Sequence, residues 1–361
     1  MHTEDHSISL SPVIFKDVKL PAFNFNHIDS LTDDTGMIQH AMYNLPNRKE
    51  GYCIDDNSRA LMLAVFASKN KKNDLSPRLI PVYLSFIHYM QTDKGHFKNF
   101  MSYNKESFEE YGSEDSFGRT IMALGFLVHQ APTNLLAMTG HQIFAKAFPN
   151  VRKLISIRGI ANSIVGVCQF IKYNYPDDVK RDMVIELADK MTAAYRANKI
   201  GDWHWFEPVL TYDNALLPLA LLNAYEVTQD EKYFDVAFEA MHFLESKVFH
   251  NEVLRPIGND GWLKRNGKQA QFDQQGIDVM AMVLFYQQAL RLTGEDEYLI
   301  KMYKSYQWFR GANDLGIALY DPATGGCADG LHSTGVSLNQ GAESTLSYWI
   351  SHLVMAEALA R

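Results

Sequence analysis

Cysteine is scarce in this 361-residue chain: Cys53, Cys168 and Cys327 are the only three, each over a hundred positions from the next. Neither a disulfide framework nor a zinc knot has that spacing, so a reducing compartment is expected. Positive charge is also short, with 34 Lys plus Arg against 42 Asp plus Glu and a formal net charge of -8. That is the wrong sign for holding a phosphate backbone, so no nucleic acid partner is expected. No run of about 18 apolar residues occurs, so no membrane-spanning helix is expected either. The opening MHTEDHSISLSPVIF has no basic segment followed by an apolar core, and the sequence reads as a soluble, cytoplasmic protein. Absent too are GxGxxG after a strand, GxxxxGK, HExxH and GxSxG, and with them the signatures of nucleotide-binding, P-loop, zincin and hydrolase-elbow chemistry. No cofactor or metal is expected. Cys327 and His332 lie near each other without a second thiol, and no loop has the regular Asp spacing of a calcium site.

What is present is a globular composition, 47% hydrophobic and 21% charged, long enough to bury a full core. Apolar residues recur at three- and four-residue spacing almost throughout, while two-residue alternation is rare, so the class is all-α. Helices are predicted over 57–70, 77–91, 116–130, 133–148, 159–173, 178–196, 213–227, 231–247, 273–292, 297–311 and 341–360, with a weaker twelfth over 34–43. Their connections alternate in length. Those within pairs are short and rich in Asn, Asp, Pro or Gly (71–76, 131–132, 174–177, 228–230, 293–296). Those between pairs are mostly long (92–115, 197–212, 249–272, 312–340), with 149–158 the exception. Antiparallel hairpins joined this way collect the short turns at one end and the long loops at the other. The expectation is a single (α/α)6 toroid of six helical hairpins over 31–361. It is closed by pairing 34–43 with 341–360 and preceded by an extended segment over 1–30. Two bundles split near 197–212 are disfavoured, because no Gly/Ser/Pro-rich linker lies there.

In such a ring the first helices of all pairs begin at one mouth. The stretches that fall there are TDDTG (32–36), GYCIDDNSRA (51–60), YGSEDSFGR (111–119), GDWHWFEPVLTYDN (201–214), NDGWLKRNGKQAQFDQQGID (259–278) and GGCADGLHSTGVSLNQGAEST (325–345). Asp is a favoured helix cap and suits the positive helix end, so Asp56, Asp115, Asp213 and Asp273 each have a capping reading. Capping leaves their company unexplained: Asp55 beside Asp56, Glu114 beside Asp115, and Glu207 just before Asp213. Trp203, His204, Trp205, Trp262, Gln274, Gln275, Asn339 and Gln340 share the same loops.

Carboxylates and amides bind hydroxyls, and flat aromatic faces stack on pyranose rings, so a sugar is the ligand class these groups suit. Two carboxylates at a defined separation cleave a glycosidic bond, one protonating the leaving oxygen and the other activating water or attacking. Glu207, flanked by Phe206 and Pro208, has an apolar neighbourhood of the kind that keeps a proton near neutral pH, and is the expected acid. Asp56 is the first expectation for the base, with Asp55, Glu114 and Asp115 as alternatives. Trp203, Trp205 and Trp262 are expected to stack on sugar rings. His204, Asp213, Asn214, Asp273, Gln274, Gln275, Asn339, Gln340 and Glu343 are expected to hold the substrate's polar groups.

The motifs GYCIDDNSRAL, GSEDSFGRTIMALG, WFEPVLTYDNALLPLAL, QFDQQGID and LNQGAEST, each opening a helix, resemble the six-hairpin glycosidase superfamily. More closely the chain is similar to bacterial members of that superfamily encoded beside, or fused to, glycosyltransferases and mannoside phosphorylases. The resemblance covers nearly the whole chain after the N-terminal segment. It implies an (α/α)6 toroid, work on mannose-containing glycans and a functional partnership with a glycosyltransferase. Characterised enzymes of the superfamily mostly invert, using carboxylates from the mouth loops. The leading expectation is an inverting glycoside hydrolase acting on a short oligosaccharide. Two alternatives stay open: a sugar epimerase or isomerase in which His204 and His332 move protons, and a non-catalytic glycan-binding partner of a glycosyltransferase.

Overall fold

The computed structural model describes residues 18–69, 76–107, 109–173 and 176–361. Among them a short helix α1 (Asn26–Leu31) precedes α2 (Ile54–Ser68), α3 (Ser76–Met90), α4 (Glu114–Gln130), α5 (Asn134–Val151), α6 (Ile157–Tyr173) and α7 (Asp178–Asn198). Then follow α8 (Leu216–Thr228), α9 (Glu231–Val248), α10 (Gly276–Thr293), α11 (Asp296–Gln307) and α12 (Ala342–Leu359). Helices of two kinds alternate. In α7 the buried residues Met183, Leu187, Met191 and Tyr195 recur every four positions, the stripe of a helix with one wet face. In α6 burial runs unbroken from Arg158 to Ile171, as expected of a helix enclosed on all sides.

The enclosed helices α2, α4, α6, α8, α10 and α12 each pack on the next, and α12 returns to α2. They form the inner ring of an (α/α)6 toroid, with α3, α5, α7, α9 and α11 outside it. The helix expected over 34–43 does not form. Instead Thr32 bridges Met37, Ile38 bridges Tyr52, and Ala41–Met42 pairs with Leu45–Pro46 as a tiny hairpin. Asp33 Oδ1 accepts from the N–H groups of Thr35 and Gly36 at 2.8 and 3.2 Å, a local turn that competes with helix. Helix α1 packs on α12 at the closure, so the expectation of an extended segment over 1–30 fails at 26–30, while 1–17 lies outside the described residues.

The joint between α4 and α6 is the tightest in the ring. A Cβ on Gly125 would lie 2.1 Å from the Gly166 carbonyl oxygen, and one on Gly166 would lie 2.4 Å from that of Ile121. Gly118 meets Gly159 in the same way two turns earlier. This backbone-on-backbone contact explains why the 149–158 connection can be short: the two inner helices have no side-chain layer between them. Elsewhere the mouth loops are stitched to their neighbours by two-residue strands. Tyr52–Cys53 pairs with Phe100–Met101, and Val209–Leu210 with Leu263–Lys264, while Gln274 bridges Leu331. No helix among the described residues is long and apolar enough to cross a membrane.

Candidate active site

The first turns of the inner helices meet at the mouth, and three arginines absent from the sequence expectations organise them. Arg59, one turn into α2, pairs with Asp56 Oδ1 at 3.1 Å and with Glu343 Oε2 of α12 at 2.9 Å. Arg119 of α4 donates to Asp55 Oδ2 at 2.8 Å and to Asp213 Oδ2 at 3.4 Å. Arg158 of α6 donates to Glu207 Oε2 at 2.9 Å, to Thr211 Oγ1 at 2.6 Å and to the Tyr212 carbonyl at 2.8 Å. A buried guanidinium is tolerated only when paired, and the mouth carboxylates supply the pairs. The signal for Arg59, Arg119 and Arg158 was a cation near the start of a largely apolar helix.

Two carboxyls are held protonated towards neutral pH. Asp56 is 6% exposed, and burial pushes it from 3.8 up to about 7, with Glu343 and Asp55 adding to the effect and Arg59 opposing it. Asp278, in the first turn of α10 and also missed from sequence, is pushed by burial, and by Asp213 beside it, up to about 8. Its Oδ1 faces the backbone and side-chain nitrogens of Asn214, both at 3.4 Å, and its Oδ2 is buried without a partner. Burial likewise raises Asp213, against the pull of Arg119. Asp213 occupies the left-handed backbone region at φ +51°, which Asp tolerates better than most residues. Asp55 is different: Arg119 anchors its Oδ2, while its Oδ1 has no partner. The first turn of α2 therefore carries, side by side, a carboxyl that keeps its proton and one fixed on a guanidinium with an oxygen to spare.

Several expectations need correcting. The helix caps are Cys53, Ser113, Ala215 and Gln275, so none of Asp56, Asp115, Asp213 and Asp273 is one. Glu207 sits against Arg158 instead of in an apolar pocket, because its neighbour Phe206 turns away into the core; the basis for choosing it as acid is gone. Glu114 accepts from the N–H groups of Ile155 and Ser156 at 2.7 and 2.5 Å, and Asp115 from the hydroxyls of Ser156 and Tyr212, both at 2.5 Å. Both acids pin the α5–α6 connection, and neither is left as a free base.

Trp203 and Trp205, 5% and 0% exposed, pack on Phe243 of α9 and present no face to a ligand. His204 lies over the outer helix, with Nδ1 2.9 Å from Glu239 and Nε2 3.1 Å from the Gly201 carbonyl. It therefore does not face His332, which pairs with Asp273 at 3.3 Å on the rim. Gln274 is bonded to Trp308 and Asp314, Asn214 to Thr211, Gln340 to Thr324 and Asp321, and Asn339 to the Tyr43 N–H. These amides spend their hydrogen bonds on the protein. Trp262, 38% exposed, and Gln275 stay available at the rim, where Asp273 pairs with His332 and Glu343 with Arg59. Among the described residues no group of three or more His, Cys, Asp or Glu is placed to hold a metal.

No family model and no curated protein matches the sequence. Solved structures do match. A sugar epimerase from a ruminal bacterium superposes with a TM-score of 0.71 at 11% identity, over 92% of this chain and 97% of that one. The likeness is one of fold. Cellobiose 2-epimerase from Bacillus thermoamylovorans B4167 gives 0.69 at 11% identity, over 91% and 95% of the two chains. A GH76 alpha-mannanase from Bacteroides thetaiotaomicron gives 0.65 at 14% identity, over 91% and 92%. The same toroid thus carries both glycosidases and epimerases.

Proposed function

We propose that this protein is a carbohydrate-active enzyme that hydrolyses a glycosidic bond in a short oligosaccharide, with Asp56 as the proton donor. The observation that carries this reading is the neighbouring pair in α2: Asp56, pushed by burial to about 7, and Asp55, with one oxygen on Arg119 and the other buried without a partner. A donor must hold its proton at working pH and a base must not, and two carboxyls in contrasting surroundings divide those roles. Asp56, expected from sequence as the base, is reassigned as the acid on this ground. It gives its proton to the leaving oxygen as the anomeric C–O bond breaks. Asp55 takes a proton from the water whose oxygen bonds to the anomeric carbon, the inverting course expected from the sequence. Arg59 and Arg119 fix the two side chains, and Trp262 offers a face for a sugar ring. A mannose-containing substrate is supported by the motif resemblance and by the mannanase among the similar folds.

The test is product analysis of manno- and gluco-oligosaccharides incubated with the purified protein and its Asp56→Asn and Asp55→Asn variants. Release of smaller sugars that both variants lose is the expected result. Release unaffected by either variant would remove these two residues from the mechanism. Proton NMR of the first-formed anomer reads the stereochemical course. An epimerase is the second reading, favoured by the epimerases of like fold and by the exposed His332–Asp273 pair at 3.3 Å. It requires a reducing-end sugar to change identity with no change in chain length, which the same analysis detects.

A further inference from the structure

The toroid has a second chamber at its opposite end. A cavity of about 520 Å³ opens where the inner helices finish, walled by residues from all six of them, among them Phe66, Phe126, Gln169, Asn223, Gln288 and Leu353. Its size falls within the roughly 300–1,000 Å³ typical of small-ligand sites. Met122, Leu219 and Leu284 line both this cavity and the small hole on the axis beneath Arg59, Arg119 and Asp213, so an apolar septum separates the two ends. The short-loop end of such a ring has no need of a polar interior, yet this one has it.

The wall contains two acceptors with nothing to accept. Asn223 is 2% exposed; its Nδ2 donates to the Leu219 carbonyl at 3.0 Å, and its Oδ1 has no partner. Gln130 Oε1 is buried and likewise unpartnered. An orphaned acceptor of this kind costs on the order of 1–3 kcal/mol unless something donates to it. Several charged groups around the chamber are paired, and Arg361 also lines it. Lys172 and Arg291 pair with Glu226, and Lys69 lies 3.8 Å from Glu357. Neutral oxygens are left wanting hydroxyl or N–H donors, next to the aromatic faces of Phe66 and Phe126. A pyranose brings both hydroxyl donors and an apolar C–H face.

We infer that this far-end cavity is a second binding site, separate from the acidic mouth, for a neutral sugar of monosaccharide size, held by hydroxyl donation to Asn223 Oδ1 and Gln130 Oε1. The inference does not depend on the reaction proposed for the mouth. The test is calorimetric titration of the full chain with D-mannose and with D-glucose, repeated on Asp56→Asn, Asn223→Leu and Gln130→Met. One of the two sugars is expected to bind the full chain and Asp56→Asn alike. Asn223→Leu and Gln130→Met should each weaken that binding about tenfold, the loss of one hydrogen bond to a buried acceptor. Binding of neither sugar to the full chain, which leaves only water in the cavity, overturns the proposal. So does binding that both far-end variants retain and Asp56→Asn abolishes. Should Asn223→Leu fail to fold, the half-buried Gln130→Met variant decides the question.

Discussion

Raising the pH from about 4 to 8 should weaken this fold, and the buried carboxyl of Asp278 contributes to the loss. Burial keeps its carboxyl protonated up to about 8, against an ordinary value of 3.8. The folded state therefore holds a proton that the unfolded chain has already released from about pH 4 upward, so stability falls as pH rises between those limits and is flat outside them. At about 1.4 kcal/mol per tenfold change in proton affinity, the upper limit is about 6 kcal/mol. Local relaxation and water entry reduce this to on the order of 3 kcal/mol. Asp278→Asn removes the titration while keeping an acceptor for Asn214. Guanidinium unfolding followed by circular dichroism, at pH 5 and pH 8.5, isolates the contribution. The stability difference between Asp278→Asn and the parent should shift in the variant's favour by roughly 2–4 kcal/mol between the two pH values. A difference that stays constant across that range would mean that Asp278 is not the titrating group.

Other outcomes follow from the packing. Arg158→Ala leaves Glu207 and Thr211 without their donor and should cost about 3–5 kcal/mol by chemical unfolding; Arg158→Lys should recover little, because an ammonium cannot reproduce the fork. Gly166→Ala forces a Cβ to within 2.4 Å of a carbonyl oxygen on α4 and should destabilise by roughly 1–3 kcal/mol or more, read as a lower denaturant midpoint. Trp262→Ala should raise KM about three- to tenfold with little change in kcat, the value of one ring stack, whereas His204→Ala should leave both within about twofold.

The hairpin pattern was legible because helix periodicity and loop length are local properties. The ring followed from the alternation of short and long connections, without any long-range contact being known. Helix α1 was not legible, since its six residues are too few to show a period, and the turn built by Asp33 lay hidden in an apolar-looking stretch. At the site, the sequence located the acidic first turns but not their protonation. Asp55 and Asp56 differ in their partners: Asp55 is held by Arg119 of α4, far away in the chain, whereas Asp56 pairs with Arg59 of its own helix, which also holds Glu343 of α12. Trp203, Trp205 and Glu207 misled because neighbours in a loop were taken to be neighbours in space. Here the loop folds its aromatics into the core and hands Glu207 to an arginine of another helix. Arg59, Arg119 and Arg158 went unnoticed because a charged residue in a helix ordinarily marks a wet face, whereas these charges are compensated in the interior.

The proton-donor role of Asp56 is tested most directly by the dependence of Asp56→Asn activity on the leaving group. The purified variant and parent would be compared on a manno-oligosaccharide, whose departing hydroxyl needs a proton, and on a dinitrophenyl mannoside, whose departing phenolate does not. With Asp56 as donor, the variant should lose about a hundredfold or more on the oligosaccharide and keep its rate on the activated substrate within about tenfold. Equal losses on both, or no loss on either, would contradict the assignment.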